Sequence, residues 1–199
     1  MGKQENPELM YTDLLELERQ LSCPTGEEGM VVAKIMNETN FNMSYSSIKH
    51  LSLTGDDFLL EIGHGNCGHL DKVFDFGGND ISYFGIEISE TMKLEAEQMN
   101  QLRRINQSAS FYVYDGRKIP FSADSFDKVM TVNTIYFWKN PKRFLLEISR
   151  VLKKDGRLVI TFVEEQSMKN LPFVRERFNL FSKSKIRELI SNTNWRLIE

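Results

Sequence analysis

The sequence predicts an α/β fold: a doubly wound, mostly parallel sheet with helices on both faces. Three observations carry that expectation. Short apolar runs rich in Ile, Val, Phe and Tyr recur from Asp57 onward. Helix-like segments with capping signals lie between them. Polar residues able to bind a ligand stand where the apolar runs end. Parallel strands need crossover connections, and right-handed crossovers lay each helix back over the sheet.

Taken in order, the runs at 58–62, 81–86, 111–114, 128–132 and 158–163 read as strands. The segment from 89 to about 104 opens on Ser89 with Glu90 in its first turn and reads as a helix. So does 141–152, with Pro141 at its start and the Asp155-Gly156 pair beyond its end. A last helix is expected over 182–192. Residues 1–54 are expected as an N-terminal helical lid segment, with the Ser/Asn-rich piece NETNFNMSYSS the nearest thing to a linker after its helices, and residues 55–199 as the core. Repeats and low-complexity tracts are absent from the sequence.

Length and composition bound the function. At 199 residues with 41% hydrophobic and 27% charged, the chain can bury one core and a ligand cleft but not a second full domain. It contains no run of eighteen apolar residues, and its start is polar and acidic where a secretion signal is basic and then apolar, so a cytoplasmic protein without a membrane span is expected. Cys23 and Cys67 are too few for a disulfide framework and are expected to be reduced. The net charge of -3 hides a split: residues 1–100 carry 6 Lys/Arg against 18 Asp/Glu, and residues 101–199 carry 19 against 10. Such a split can mark an anion-binding surface. The basic residues of KNPKRFLLEISRVLKKDGR, however, are spaced as the solvated face of a helix, so a nucleic-acid partner is not expected.

In open parallel sheets, ligands bind outside the carboxyl ends of the strands. Here those ends carry Glu61, Glu87, Asp115, Asn133 and Glu164. Each alone is an ordinary turn or cap residue; as a set they point to a ligand rim. In LLEIGHGNCGHL, Gly63, Gly65 and Gly68 satisfy GxGxxG, and Glu87 follows nineteen residues after Gly68, where an acid takes a ribose hydroxyl pair. That spacing suits NAD. Glu61 argues otherwise, because a diphosphate near this loop would face its carboxylate, a like-charge contact worth about 1 kcal/mol in water and several at lower dielectric. S-adenosylmethionine has an amino acid where NAD has its diphosphate, plus a sulfonium, and an acid ahead of the glycines suits it.

These motifs resemble those of the class I S-adenosylmethionine-dependent methyltransferases, especially the small bacterial type related to the quinone-biosynthesis methyltransferases. The resemblance runs from about Asp57 to Val163. EIGHGNCG is similar to the family's first motif, GIEIS to the second-strand motif ending in the ribose acid, YDGRKIPFSADSFDKVMT to the adenine-binding turn, and LKKDGRLVI to the turn into the fifth strand. It implies a Rossmann-like fold with S-adenosylmethionine as cofactor and a small-molecule methyl acceptor. Glu61 with the backbone of Gly63 and Gly65 would hold the methionine part, Glu87 would accept from the ribose hydroxyls, and Ile88 would pack on the adenine. Asp115 would accept from the adenine amino group, the backbone of Gly116 and Arg117 would meet the ring nitrogens, and Asn133 would lie near the methionine end.

The loop departs from the family at Cys67, which replaces its third glycine. Cys needs a negative φ more than Gly does, so a slightly altered loop is expected. His64, Cys67 and His69 could be imagined as metal ligands, but they lack a CxxC or HExxH partner, and no metal is expected. In NTIYFWKNP, Tyr136 is the one catalytic candidate, and Tyr136, Phe137 and Trp138 could pack on an acceptor or against the sulfonium; packing of Phe137 and Trp138 on the next helix is the plainer alternative. The segment QLSCPTGEEGMVVAKIMNETN is similar to one preceding the core in some small bacterial methyltransferases. It implies a lid lined by Tyr11, Met30, Met36 and Tyr45. The family sheet ends in a sixth strand and an antiparallel seventh, yet only WRLIE follows the last helix. A missing seventh strand is therefore expected, through truncation or an edge covered by a partner. The rival readings are an NAD(P)-dependent oxidoreductase and a non-catalytic cofactor-binding or assembly protein.

Overall fold

The computed structural model describes residues 13–106, 108–191 and 195–196. Its sheet contains β1 (Phe58–Ile62), β2 (Ser82–Glu87), β3 (Ala109–Val113), β4 (Phe126–Val132) and β5 (Leu152–Thr161). They pair in the order β3-β2-β1-β4-β5, every pair parallel. The chain builds outward from β1 to β3 and then crosses back to lay β4 on the other side of β1. The reversal point therefore lies between β1 and β4, where a crevice opens at the carboxyl ends.

Alternation along the strands sends side chains to two buried faces. Leu59, Tyr83, Ala109, Phe111 and Met130 face one layer with Ile48, Leu51, Leu70, Val73, Phe74 and Ala96. These come from α3 (Phe41–Leu51), α4 (Leu70–Gly77) and α5 (Glu90–Met99). Leu60, Ile62, Ile86 and Val129 face the other, under Phe144, Leu145, Ile148 and Val151 of α7 (Pro141–Val151). The chain after β5 completes that layer with Met168 and Phe181, and with Ile186 and Leu189 packed at its margin. Those residues belong to or flank α8 (Glu165–Met168) and α9 (Lys183–Ser191). Side chains cap two of the helices expected from the sequence. The Ser89 hydroxyl accepts from Met92 N at 3.2 Å, and Asn140 Oδ1 accepts from Arg143 N at 3.0 Å ahead of Pro141.

Three expectations are corrected. The helix expected from 89 to 104 breaks at Asn100 (φ -111, ψ 32) into α5 and α6 (Gln101–Ile105). Asn100 Nδ2 ends the first helix by donating to Ala96 O at 2.9 Å and reaches Cys67 O in the glycine loop at 3.2 Å. The fifth strand begins at Leu152, not at 158: Phe126 pairs with Leu152 and Lys128 with Arg157, so residues 153–156 bulge out with Asp155 at φ 66. The Asp-Gly signal marks that bulge. Finally, the boundary at residue 54 cuts through a packed unit. Ile48 and Leu51 are fully buried, and Ser47 Oγ lies 2.6 Å from Thr161 Oγ1 of β5, so α3 belongs to the core.

Among the described residues, only α1 (Leu14–Ser22) and α2 (Gly26–Thr39) precede that core as separate cover. The expected helix end at Asn192 and most of WRLIE lie outside the described residues. No helix among the described residues is long and apolar enough to cross a membrane.

Candidate functional site

The site grows from the turn after β1. Gly63 (φ 73) donates its N–H to Ile86 O at 2.8 Å, and a Cβ on it would lie 2.4 Å from Thr134 Cγ2. Gly65 (φ 57) faces open space where its Cβ would stand. Cys67 is the surprise: it takes a left-handed φ of 53, so the loop keeps a glycine's path and the expected alteration does not occur. For a residue with a Cβ this costs about 1–2 kcal/mol. Its side chain is buried, with Sγ 3.1 Å from the Tyr83 hydroxyl. Gly68 serves a different need. A Cβ there would sit 2.7 Å from Asn37 Nδ2, so its bareness lets α2 press down on the loop.

Two buried carboxylates flank this turn. Glu61, 2% exposed, accepts from the Tyr83 hydroxyl at 2.6 Å and pairs with His69 Nε2 at 2.9 Å, both at Oε2. Burial pushes its acidity toward the neutral form, but His69 and then Tyr83 outweigh that and hold the carboxyl below its usual range. Glu87, 6% exposed, accepts from Ile88 N at 2.7 Å and Ser89 N at 3.2 Å at Oε1, and from Gly65 N at 3.2 Å at Oε2. Burial dominates there and raises its pKa against those bonds. A carboxylate has about four lone-pair sites. Three are occupied, so accepting both ribose hydroxyls requires the Gly65 N–H to yield.

Farther along the rim, Asp115 Oδ1 accepts from Arg117 N at 2.8 Å and Lys118 N at 2.9 Å. These bonds lower its pKa. They engage the Arg117 and Lys118 N–H groups at the same oxygen of Asp115. Gly116 (φ 71) lies against Ile88, whose Cγ2 is 3.3 Å from an ideal Cβ on it; Ile88 is 40% exposed, an apolar edge at the rim. Asn133, at φ 56, donates to Asn40 Oδ1 at 3.0 Å and accepts from the Tyr136 hydroxyl at 3.0 Å. It thereby joins the end of β4 to the α2–α3 junction. Glu164 precedes α8 and turns toward Lys183 N, 3.5 Å away.

The expected aromatic residues pack within the fold. Tyr136 is 2% exposed, its hydroxyl accepts from Val163 N while its single proton faces Asn133 Oδ1 at 3.0 Å and Val163 O at 3.1 Å, and burial pushes its pKa up to about 12. A phenol so placed holds the end of β5 against Asn133 and is not a proton acceptor at neutral pH. Trp138 is buried 4.8 Å from Phe144 of α7, and Phe137 lies 4.8 Å from Phe178.

The three loop side chains separate. His64 is 4% exposed, lies edge-on to Phe111 at 5.1 Å, and has no hydrogen-bond partner for either ring nitrogen among the described residues. Burial lowers its pKa to about 4, so it is neutral. The donor atoms of Glu61, Cys67 and His69 lie within 4.8 Å of one another. Their lone pairs and protons serve the hydrogen bonds through Tyr83 and His69, and burial pushes the Cys67 thiol far up. They form a hydrogen-bonded network. Sequence reasoning missed Tyr83 and the pairing of His69 with Glu61. Tyr83 stands two residues before Gly85, the register partner of Glu61, so alternation puts both on one face.

Over the loop lies the cover. A cavity beside Glu61, Gly63, Gly65 and His69 is walled by Pro24, Met36, Asn37, Asn40, Phe41 and Ser44. Of the expected lid residues, Met36 lines it; Tyr45 stacks outward between Phe41 and Phe76, and Tyr11 lies outside the described residues. The Ser89 hydroxyl donates to Pro24 O, and Gly26 N donates to Thr91 Oγ1 at 3.2 Å, so the α1–α2 link is latched to the turn after β2.

Buried carboxylates on both sides of a glycine turn, with open space above Gly65, suit a cationic, ribose-bearing ligand and repel a diphosphate. Together with the strand order, this is the arrangement of the class I S-adenosylmethionine-dependent methyltransferases, whose cofactor is S-adenosylmethionine. The chain belongs to the methyltransferase domain family, whose profile matches residues 60–160. It is 30% identical over 135 residues to the uncharacterized methyltransferase YdaC of Bacillus subtilis, covering 66% of this chain and 70% of that one. It is 28% identical over 152 residues to the demethylmenaquinone methyltransferase of Tropheryma whipplei, covering 72% of this chain and 61% of that protein. Among solved structures, a Haloferax volcanii methyltransferase in complex with its Trm112 activator aligns with a TM-score of 0.67 at 21% identity, covering 80% of this chain and 70% of that one.

Proposed function

We propose that this chain transfers the methyl group of S-adenosylmethionine to a small-molecule acceptor. The pair of buried acids, Glu61 and Glu87, at the ends of adjacent strands around the Gly63–Gly65 turn carries this reading. When bound there, the cofactor supplies a methyl group on an already activated leaving group, so the protein's work is alignment and exclusion of water. Glu61 and the backbone of Gly63 and Gly65 hold the amino-acid end. Glu87 orients the ribose, Ile88 offers its apolar edge to the adenine, and Asp115 Oδ2 takes the adenine amino group, with the Gly116 backbone beside it. Asn133, fixed by Asn40 and Tyr136, stands at the methionine end. The wall of α2 and α3 residues supports an acceptor small enough to enter between helices.

Calorimetry with S-adenosylmethionine, S-adenosylhomocysteine and NADH tests the reading. Binding of the first two is expected. Binding of NADH alone would favour the oxidoreductase, and tight cofactor binding without turnover over a broad acceptor panel would favour the non-catalytic protein.

A further inference from the structure

We infer that His69 is an internal counter-ion of Glu61, and that it gives up its proton to solvent when the cofactor's ammonium group comes to Glu61, so that cofactor binding releases a proton. The inference rests on the proposed role of Glu61. Its own ground is the placement of the pair. Glu61 is 2% exposed, and a buried carboxylate without a cation is costly. His69 Nε2 supplies that cation at 2.9 Å. Both residues line the cavity beside Gly63 and Gly65, so the ion pair stands in the wall that the ammonium must reach and not behind it.

His69 has little else to keep it charged. It stands at the N-cap position of α4, where the helix dipole disfavours a cation, and burial disfavours one too. Glu61 alone raises its pKa above the ordinary value. A second cation at Glu61 takes that support away, and the cheapest response is loss of the imidazolium proton: one N–H bond breaks, and the proton passes to buffer. Of the neighbouring groups, three stay neutral at neutral pH. Tyr83 on β2 and Cys67 in the loop are held neutral by burial, and His64 is neutral above about pH 4. Glu87 at the end of β2 is raised by burial from the ordinary carboxyl value. From α2 and α3 the facing groups are the uncharged Asn37, Asn40 and Ser44. On α4, Asp71 and Lys72 pair outward with Arg103 and Asp75, and on α5 Lys93 pairs with Glu97.

The test uses the whole chain and S-adenosylhomocysteine, which carries the same amino-acid end. Titration calorimetry at pH 6.5 to 7, in buffers of different ionisation enthalpy, is expected to show net release of protons on binding. Affinity is expected to rise by up to tenfold per pH unit until the pKa of His69 in the free protein is passed. His69→Gln is expected to abolish the release and flatten the profile. Independently of folding of that variant, the NMR titration of the His69 ring in the wild-type protein is expected to move to lower pH on saturation with ligand. Binding without proton release, or equal release from His69→Gln, would overturn the inference while leaving the cofactor reading standing. No binding at any pH would overturn both.

Discussion

Glu87 spends its carboxylate on the loop before any ligand arrives: Gly65, Ile88 and Ser89 all donate to it. Glu87→Ala therefore removes a charged acceptor from the ribose and also loosens the turn. The expected loss of cofactor affinity is about 2 kcal/mol, roughly thirtyfold in Kd by calorimetry; an unchanged Kd would remove Glu87 from the site. His64 gives a prediction of another kind. Its folded pKa, about 4, lies below the ordinary 6.5, so as pH falls the unfolded chain takes up the proton first. Stability is expected to drop between pH 6.5 and 4 by about 3 kcal/mol and then level off. His64→Phe, which keeps the edge contact to Phe111, should flatten that window in thermal melts. His69 has the opposite sign: its raised pKa adds stability that is complete below 6.5 and is lost as pH rises. At this scale the rim acids were readable, because each follows a short apolar run. The Glu61–His69 pair was not, since nothing in the spacing of eight residues says that His69 turns back under the loop.

Among the elements, the strands were legible from β-rich runs and the helices from their caps. The misreadings fall where a side chain overrides periodicity. Asn100 stops a helix that the pattern would continue, because its amide ties Ala96 to the Cys67 carbonyl. The extra length of β5 is invisible because its first residue pairs across a four-residue bulge. Ser89 shows how much one cap can carry. Its hydroxyl accepts from Met92 N and donates to Pro24 O, joining α5 to the α1–α2 link. Ser89→Ala is expected to cost about 2 kcal/mol, one part for the cap and one for the buried bond. A lowered melting temperature would accompany faster proteolysis near residues 23–26, and unchanged proteolysis would show that the latch does not hold the link.

For the molecule as a whole, the parallel sheet and its helical layers followed from composition and alternation, whereas the place of the N-terminal third did not. Polar helices such as α3 bury few residues, and their docking on β4 and β5 is a long-range contact that local pattern does not encode. The consequence can be tested by shortening the chain. A protein starting at residue 55 loses Ile48 and Leu51 from the core and is expected to be insoluble. One starting at residue 40 keeps α3 and is expected to fold, yet to bind S-adenosylhomocysteine at least tenfold more weakly, because Met36 and Asn37 are gone from the cavity wall. Solubility, size-exclusion behaviour and calorimetry decide both.

Cys67 carries a lesson about how such loops diverge. The turn after β1 preserves a shape, and the shape here is drawn by a residue that ordinarily refuses it. A search keyed to letters counts this loop one glycine short. One keyed to the handedness of the backbone two places past Gly65 counts it whole.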